Sequence, residues 1–210
     1  MKCKFVLITD KIVELTENLK KESIYFVHGS PTDEKNLYRA NILQCSGVII
    51  LAEDPYNKRS DERTFVTGSL IEMIEKDKNI PIKTITEVIE SNNIRNMKRA
   101  RIDGFISEDG LTGRLIVQEF INPGINRVIS QVLTNSIGSQ FYICETSLIN
   151  YQIRDVQIAA LEHDINMQVI GISQTDENLL NPSKDTVIQK GDKLIVLAEN
   201  SNDFNIIESE

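Results

Sequence analysis

The sequence contains few cysteines and histidines. Its 210 residues include three cysteines, Cys3, Cys45 and Cys144, and two histidines, His28 and His163, with no Cys-x-x-Cys pair. This composition excludes a disulfide scaffold and argues against a zinc site built on histidine and cysteine. We expect reduced thiols in a cytosol, with Cys45 and Cys144 packed as small core residues beside apolar runs.

Long apolar runs are also missing. No run approaches the roughly 20 residues that cross a bilayer, so we expect this chain not to insert into a membrane or to form a pore itself. The apolar stretch 5–9 near the start is too short for a signal peptide. The chain is 40% hydrophobic and 26% charged, a globular balance that excludes disordered and collagen-like chains.

The sequence has fewer basic than acidic residues. There are 23 lysines and arginines against 31 aspartates and glutamates, a net charge of −8, which argues against a nucleic-acid partner. Residues 1–135 carry 19 basic and 19 acidic side chains, whereas residues 136–210 carry 4 and 12. Together with the change in hydrophobic pattern, this shift predicts a first domain over 1–111, connecting helices over 112–135 and a second domain over 136–210.

The common catalytic motifs are missing as well. The sequence has no Gly-x-Ser-x-Gly, no phosphate-binding Gly-x-x-x-x-Gly-Lys and no His-Glu-x-x-His. The first strand is not followed by Gly-x-Gly-x-x-Gly, the loop that holds a dinucleotide pyrophosphate. A dinucleotide or nucleotide-sugar enzyme is therefore disfavoured, and we expect no enzymatic activity.

What the first 110 residues do contain is an alternation of short apolar strands with helical patterns. The expected strands cover residues 4–10, 24–27, 47–52, 80–88 and 105–106. The expected helices cover 13–19, 33–43, 61–76 and 92–101, with Thr32 or Asp33 as a cap and Phe65, Leu70, Ile71 and Ile74 on one face of the third. This pattern predicts an α/β fold whose parallel sheet is covered by helices on both faces.

The rest of the chain follows a different pattern. Pro123-Gly124 breaks a helical stretch into 112–122 and 125–133, because proline removes a backbone donor and clashes with the preceding turn. Strands at 140–144, 167–172 and 194–198 and a helix at 156–163 predict a small α+β domain, with a turn at Asn181-Pro182.

Two groups of side chains fall at the expected carboxyl ends of the parallel strands, where such sheets bind ligands. Asp10 ends the first strand and could accept hydrogen bonds from ribose hydroxyls. His28, Gly29 and Ser30 end the second strand, where the glycine allows close approach of an adenine or a ribose. The alternatives are a helix cap at Asp10, a plain turn at Gly29-Ser30 and a hydrogen-bonded rim residue at His28.

The second group is acidic. Glu53 and Asp54 follow the third strand, Glu87 ends the fourth, and Glu90 comes soon after. Converging carboxylates suit calcium, which takes 6–8 oxygen ligands, although an acidic rim in solvent is the alternative. The basic side chains of the fourth helix, Arg95, Lys98, Arg99 and Arg101, are expected on a solvated face or beside nearby acids.

The segments 26–32, 47–51, 82–87, 169–172 and 191–197 resemble the RCK (regulator of potassium conductance) domain, also called the KTN or TrkA-type domain. The details around Asn181-Pro182 are closest to Castor/Pollux-type cation channels and their bacterial relatives. The resemblance implies a Rossmann-like sheet whose first strand and glycine loop are missing here, a kinked crossover helix and a small C-terminal α+β subdomain.

The resemblance also implies roles for binding-site residues. Asp10 matches the family's ribose-binding acid, and Glu87 matches one of its calcium-binding acids. Ser30 stands where nucleotide-binding members often carry an acid. Ile89 and Leu51 stand where calcium-binding members carry further acids. We therefore expect weak calcium binding, and only weak binding of NAD or an adenine nucleotide.

The function that this resemblance implies is that of a cytosolic gating domain. Such domains pair into dimers, ring around a potassium or other cation pore at the inner face of the cell membrane, and couple calcium or nucleotide binding to gating. The alternative is a nucleotide-binding regulatory subunit of a TrkA/Ktr-type potassium uptake system. We expect a homodimer centred on the helices 112–122 and 125–133.

Overall fold

The computed structural model describes residues 4–134, 138–162, 166–175, 177–200 and 203–204. The chain divides into two compact units, Met1–Arg114 and Leu115–Glu210. The three-part division at residues 111 and 135 stays a prediction.

The first unit alternates strands and helices, as the sequence pattern predicts. Its strands are β1 (Val6–Thr9), β2 (Tyr25–His28), β3 (Gly47–Ile50), β4 (Lys83–Glu87) and β5 (Gly104–Ile106). Its helices are α1 (Glu17–Lys21), α2 (Glu34–Arg39), α3 (Ser60–Lys78) and α4 (Ile94–Arg99), with 3-10 turns at Ile42–Gln44 and Ser91–Asn93. All neighbouring strands pair in parallel, which confirms the α/β fold class.

The five parallel strands form two hydrogen-bonded sheets. β1 pairs with β2, and β3–β4–β5 form a second sheet with β4 in the middle. Over the described residues, β1 and β3 make no backbone pairing with each other. The pairing of these edges was not predictable from the sequence, because hydrophobic periodicity identifies strands but does not report which edges meet.

The helix α3 supplies much of the first unit's core. Ile71 and Ile74 are buried beside Ile50 of β3 and Leu37 of α2. Phe65 packs against a second cluster formed by the buried side chains Val88, Met97 and Ile102. The apolar face predicted for this helix therefore holds for Leu70, Ile71 and Ile74, whereas placing Phe65 on the same face was wrong.

Local sequence signals predict the start of α2 but not that of α1. Asp33 caps α2, its carboxylate accepting a hydrogen bond from Lys35 N at 3.0 Å, as predicted. The helix expected at 13–19 is wrong. α1 begins only at Glu17, Val13 is 85% exposed, and Leu15 is buried outside the helix. A few apolar residues at helical spacing do not offset the cost of helix nucleation.

The second unit is an antiparallel sheet covered by one helix, consistent with the predicted α+β class. α5 (Leu111–Ile121) leads into it from the first unit, followed by α6 (Ile125–Leu133). Its remaining elements are β6 (Gln140–Glu145), α7 (Ile153–Glu162), β7 (Met167–Ser173), β8 (Asn178–Leu180) and β9 (Lys193–Ala198). The strand order is β6-β9-β7-β8. The sequence pattern missed β8, which has only three residues, and His163 lies outside the described residues.

The core of this unit lies between α7 and the sheet. Ile153 and Val156 of α7 pack with Val169 of β7 and with Leu194 and Val196 of β9, and all are buried. Cys144 is partly buried against this cluster, and Cys45 packs likewise against the core of the first unit. Burial raises the pKa of the Cys45 thiol, as expected of a small reduced core residue.

The break between α5 and α6 occurs where the sequence predicts it. Gly124 takes a φ of 97°, in the left-handed region that favours glycine. The Glu119 carboxylate accepts hydrogen bonds from Gly124 N and Asn126 N, both at 2.8 Å. These bonds satisfy backbone donors that the second helix cannot satisfy internally.

Candidate functional site

The turn after β2 holds three of the predicted nucleotide-site residues. Gly29 N donates to Thr9 O at 3.1 Å, and a Cβ on Gly29 would lie 2.4 Å from Asn36 Nδ2. The Asn36 amide donates to Ser30 O at 3.0 Å. Glycine is therefore required here by close packing within the turn. His28 is exposed and contacts Phe26 edge-on, so its ring stands on the rim.

Arg63, in the first turns of α3, joins the ends of β1, β2 and β3. Its Nη2 donates to Asp10 Oδ1 at 2.7 Å and to Ser30 Oγ at 3.3 Å, while its Nη1 donates to Glu53 Oε2 at 2.8 Å. Lys11 forms an ion pair with Glu53. The structure thus brings Asp10, Ser30 and Glu53 to one guanidinium.

These ion pairs lower the pKa of both Asp10 and Glu53. The hydrogen bond from Arg63 lowers the pKa of Asp10. The Lys11 ammonium, followed by the Arg63 guanidinium, lowers the pKa of Glu53. A ligand that uses Asp10 as an acceptor must therefore compete with Arg63. Sequence reasoning missed Arg63 because its partners come from loops 53, 33 and 10 residues away.

The four acids predicted to bind calcium each serve a separate contact. Glu87 Oε2 accepts from Ala52 N at 2.7 Å, tying the ends of β3 and β4 together. Asp54 Oδ1 accepts from Tyr56 N at 2.9 Å within its own turn. Glu90 forms an ion pair with Lys58, and Glu53 pairs with Lys11 and Arg63.

The described residues contain no group of three or more histidine, cysteine, aspartate or glutamate side chains placed to hold a metal ion. The structure therefore does not gather Glu53, Asp54, Glu87 and Glu90 into one ligand set. Calcium binding at these acids stays a prediction, and it would require Glu53 and Glu90 to leave their basic partners.

A buried acid that the sequence reasoning missed organises the loop after β4. Asp61, at the start of α3, is 3% exposed. Its carboxylate accepts hydrogen bonds from Ile89 N at 2.7 Å, Glu90 N at 3.0 Å and Asn93 Nδ2 at 2.7 Å. Only its place in the first turn of a predicted helix was visible in the sequence, since all three partners lie about 30 residues away.

A groove of about 1090 Å³ runs between α3 and α4. Phe65, Met73 and Met97 supply apolar lining, and most of the remaining lining side chains are charged or polar. Ser69 Oγ and Glu72 Oε1 are buried and have no hydrogen-bond partner among the described residues. Burial raises the pKa of Glu72 to about 7. We refer to this feature as the α3–α4 groove.

Two family models match successive parts of the chain. Residues 5–85 match the RCK domain of slowpoke-like calcium-activated potassium channels, and residues 109–209 match the Castor and Pollux family, described as part of a voltage-gated ion channel. The first match is to an RCK domain and the second to a family of ion channels, so both parts of the chain are similar to parts of channel proteins. The resemblance inferred from sequence is thereby confirmed. Among the described residues, no helix combines the length and the apolar composition needed to span a bilayer.

Similar proteins agree with this assignment. The probable ion channel POLLUX of Arabidopsis thaliana is 25% identical over 198 residues, covering 92% of this chain and 23% of the relative. The calcium-gated potassium channel TvoK of Thermoplasma volcanium is 24% identical over 198 residues, covering 91% of this chain and 56% of the relative. The chain thus spans between about a quarter and just over half of these relatives' lengths.

The human SLO3 gating ring has the same fold. It superposes with a TM-score of 0.72 at 13% identity, covering 97% of this chain and 41% of that one. The predicted RCK architecture is therefore confirmed at the level of fold.

Proposed function

We propose that this RCK chain is a cytosolic ligand-sensing domain that self-associates into a gating ring and regulates a potassium or other cation pore. The observation that carries the proposal is the exposed apolar surface of α5 and α6. The matched family models come from ion channels, and the named relatives are ion channels. The regulated partner is therefore a pore, and the chain lies beneath it at the inner face of the cell membrane. The chain acts without catalysis of its own.

Neither α5 nor α6 has a buried residue. Phe120 is 87% exposed. The other large apolar side chains that are exposed on these helices are Leu111, Ile116, Val117, Ile121, Val128 and Leu133. Large exposed apolar side chains concentrated on one helix pair indicate a protein interface, and burial of each would contribute about 1.5–3 kcal/mol before the cost of association.

The same helices suit a two-fold dimer. The turn at Pro123-Gly124, held by Glu119, sets a defined angle between α5 and α6. Two copies can therefore pack this helix pair against itself, each burying the other's apolar side chains. The alternative is that the pair packs on its own C-terminal unit. α6 does contact β6 there, but no residue of either helix is buried.

The ligand of this domain is calcium or a nucleotide. Glu53, Asp54, Glu87 and Glu90 would supply carboxylates for calcium, and TvoK is by name calcium-gated. Regulation requires only that the ligand bind one arrangement of the ring more tightly than another.

A nucleotide would use the second group of residues. Asp10 and the turn at Gly29-Ser30 would contact ribose and base, with His28 at the rim, whereas no glycine loop for phosphate follows β1. Since Arg63 already donates a hydrogen bond to the Asp10 carboxylate, binding of NAD or ATP should be weak. The alternative function, a nucleotide-binding regulatory subunit of a TrkA/Ktr-type uptake system, would require tighter binding than this, so a submicromolar nucleotide affinity would support that alternative.

The assembly step is tested by replacing Phe120 and Ile129 with glutamate in the full chain. We expect the wild type to sediment as a dimer or larger species at tens of micromolar. The helix variant should lose this association, because charges on α5 and α6 cannot be buried without partners. Its circular dichroism should keep the strand and helix content of the wild type.

A matched control places glutamate at Val13 and Tyr56, which are 85% and 96% exposed but lie outside these helices. The control variant should associate like the wild type. A monomeric wild type, or a helix variant with undiminished mass, would refute assembly through α5 and α6.

A further inference from the structure

The two parallel sheets of the first unit are joined at one edge by charged side chains. β1 and β2 lie within residues 4–44, and β3, β4 and β5 lie within residues 47–106. In this described part of the chain, the hydrogen bonds and ion pairs between the two segments come from Arg63 and Lys11. Arg63 donates to Asp10 and Ser30, and Lys11 pairs with Glu53. We call these contacts the strand-end clasp.

Behind the clasp, the same two segments are held by apolar packing. Ile8 of β1 and Leu37 of α2 pack in one cluster with Ile50 of β3 and Ile71 of α3. Apolar packing is non-directional, whereas the guanidinium of Arg63 needs its acceptors in a fixed geometry. The strand ends can therefore separate by side-chain rearrangement while the apolar cluster stays packed.

The clasp uses the acceptor that a ribose ligand would need. Arg63 Nη2 lies 2.7 Å from Asp10 Oδ1, and the Arg63 and Asp10 side chains are 25% and 35% exposed. A small ligand can therefore reach this pair. Ribose hydroxyls and a guanidinium are both donors to a carboxylate, and the charged donor forms the stronger bond. A ribose that binds Asp10 therefore competes with Arg63.

We propose that the strand-end clasp is an autoinhibitory contact, in which Arg63 and Lys11 hold the site shut and a ribonucleoside ligand opens it by taking Asp10 from Arg63. The inference rests on the proposed function, in which ligand binding moves this domain. Arg63 belongs to α3, so its release from Asp10 and Ser30 frees the ends of β1 and β2 from that helix. Ligand binding is thereby coupled to the position of the first sheet.

The open state of the clasp keeps its charges paired. Arg63 also donates to Glu53 Oε2 at 2.8 Å, and Lys11 pairs with the same carboxylate. When a ribose takes Asp10, Arg63 keeps this second partner, so no guanidinium is left without a carboxylate. Opening therefore breaks one partly exposed ion pair and one hydrogen bond to Ser30, which a small ligand can offset.

The experiment measures adenosine binding to the full chain by calorimetry. Adenosine is neutral, so removing a positive charge from the protein does not change its long-range attraction. We expect Arg63→Gln to bind adenosine about fivefold more tightly than the wild type, because one competing ion pair is lost. The matched control is Arg59→Gln, an exposed arginine at the start of the same helix, which should bind like the wild type.

Two further measurements identify the competing contact. 2′,3′-Dideoxyadenosine lacks the ribose hydroxyls and should show no gain with Arg63→Gln. Adding Asp10→Asn to Arg63→Gln should remove the gain for adenosine. Arg63→Lys should bind adenosine with an intermediate affinity, since an ammonium keeps the charge but lacks the planar fork that contacts several acceptors at once.

Hydrogen exchange measures the opening itself. In Arg63→Gln, the amides of residues 5–10 and 25–30 should exchange faster than in Arg59→Gln, while those of β4 exchange equally in both. If circular dichroism shows that Arg63→Gln does not fold, Lys11→Gln replaces it, because it removes the other contact of the clasp. Lys21→Gln, an exposed lysine of α1, is then the control.

Equal adenosine affinities of the wild type and Arg63→Gln, including no binding to either, would overturn the clasp proposal. A gain that survives Asp10→Asn, or unchanged exchange at residues 5–10, would overturn it as well. None of these results affects assembly through α5 and α6, which is judged separately from sedimentation of the wild type against the helix variant.

Discussion

At the scale of single residues, Glu72 is the acid whose pKa the fold shifts most clearly. Its side chain lies in the α3–α4 groove with Oε1 buried and unpartnered. Burial, together with Glu75 and Asp103, raises its pKa to about 7 against the opposing effect of Arg101. In the unfolded chain the pKa would be near its ordinary value of 4.5. The folded state therefore binds this proton more tightly.

Because of this difference in pKa, the charged Glu72 side chain lowers the free energy of unfolding at high pH. The cost is absent below about pH 4.5, grows as pH rises, and is complete above about pH 7, where the folded state must hold a charged carboxylate. We expect Glu72→Gln to raise the free energy of unfolding by about 1 kcal/mol near pH 8, a value discounted for partial solvent exposure. The gain should vanish near pH 5.

Denaturant unfolding of monomeric helix-variant protein at the two pH values checks this prediction. Glu62→Gln, on the same helix but exposed, is the matched control and should show no such gain. A Glu72→Gln effect that is equal at both pH values would contradict the assignment.

Other acids at the candidate site show why residue type alone misleads. Glu87 and Asp61 use their carboxylates to hold backbone N–H groups of distant loops, and Glu53 is held by Lys11 and Arg63. These are structural contacts at the edge where the sequence predicts ligand binding. They hold the strand ends in place, and they reduce the number of carboxylate oxygens free for a ligand.

At the scale of secondary-structure elements, the turn between α5 and α6 depends on Glu119. Its carboxylate accepts from Asn126 N and Gly124 N, and these two bonds lower its pKa. Because the folded-state pKa is depressed, the stabilisation is present above the ordinary value of 4.5 and is lost as pH falls through the lower folded-state value.

We expect Glu119→Ala to lower the melting temperature at neutral pH and to weaken association through α5 and α6, since the angle between the helices is no longer held. The difference from the wild type should shrink as the solution is acidified below the ordinary glutamate pKa. Circular dichroism melts across this range measure the effect. Glu108→Ala, an exposed acid just before α5, is the control; a loss of the same size there would show that Glu119 has no special role.

The two sheets of the first unit illustrate a second element-scale point. Each strand of this unit was recognisable from its apolar run. β1 ends at Thr9, directly before Asp10, and β3 ends at Ile50, three residues before Glu53. Their side chains are joined through Arg63 rather than through a shared strand ladder. The contact that links these elements is therefore electrostatic and comes from a helix.

At the scale of the whole molecule, the ligand proposal is tested by calcium titration. We expect calorimetry to detect weak calcium binding and millimolar calcium to raise the melting temperature, because binding to the folded state alone stabilises it. Glu87→Gln should weaken both effects while keeping an acceptor for Ala52 N. Glu177→Gln, an exposed acid of the second unit, should leave both unchanged.

No heat and no melting shift in millimolar calcium would remove calcium as the ligand. The assembly prediction would be unaffected, because it depends on α5 and α6. Equal weakening by Glu87→Gln and Glu177→Gln would indicate diffuse attraction to a chain of net charge −8 rather than a site.

The sequence by itself determined the features that depend on local order along the chain. Apolar runs placed most strands, Thr32-Asp33 marked a helix start, Pro123-Gly124 marked the break between α5 and α6, and the motif order carried the resemblance to the RCK domain. Periodicity and capping are local properties, so they are readable without a fold.

Only the tertiary structure decided which distant groups meet. It joined Arg63 to Asp10, placed Asp61 under the loop after β4, left Glu72 unpartnered in a groove and divided the parallel strands into two sheets. Each of these depends on contacts between residues far apart in the chain, where hydrogen bonding and burial select partners that residue type and spacing do not specify.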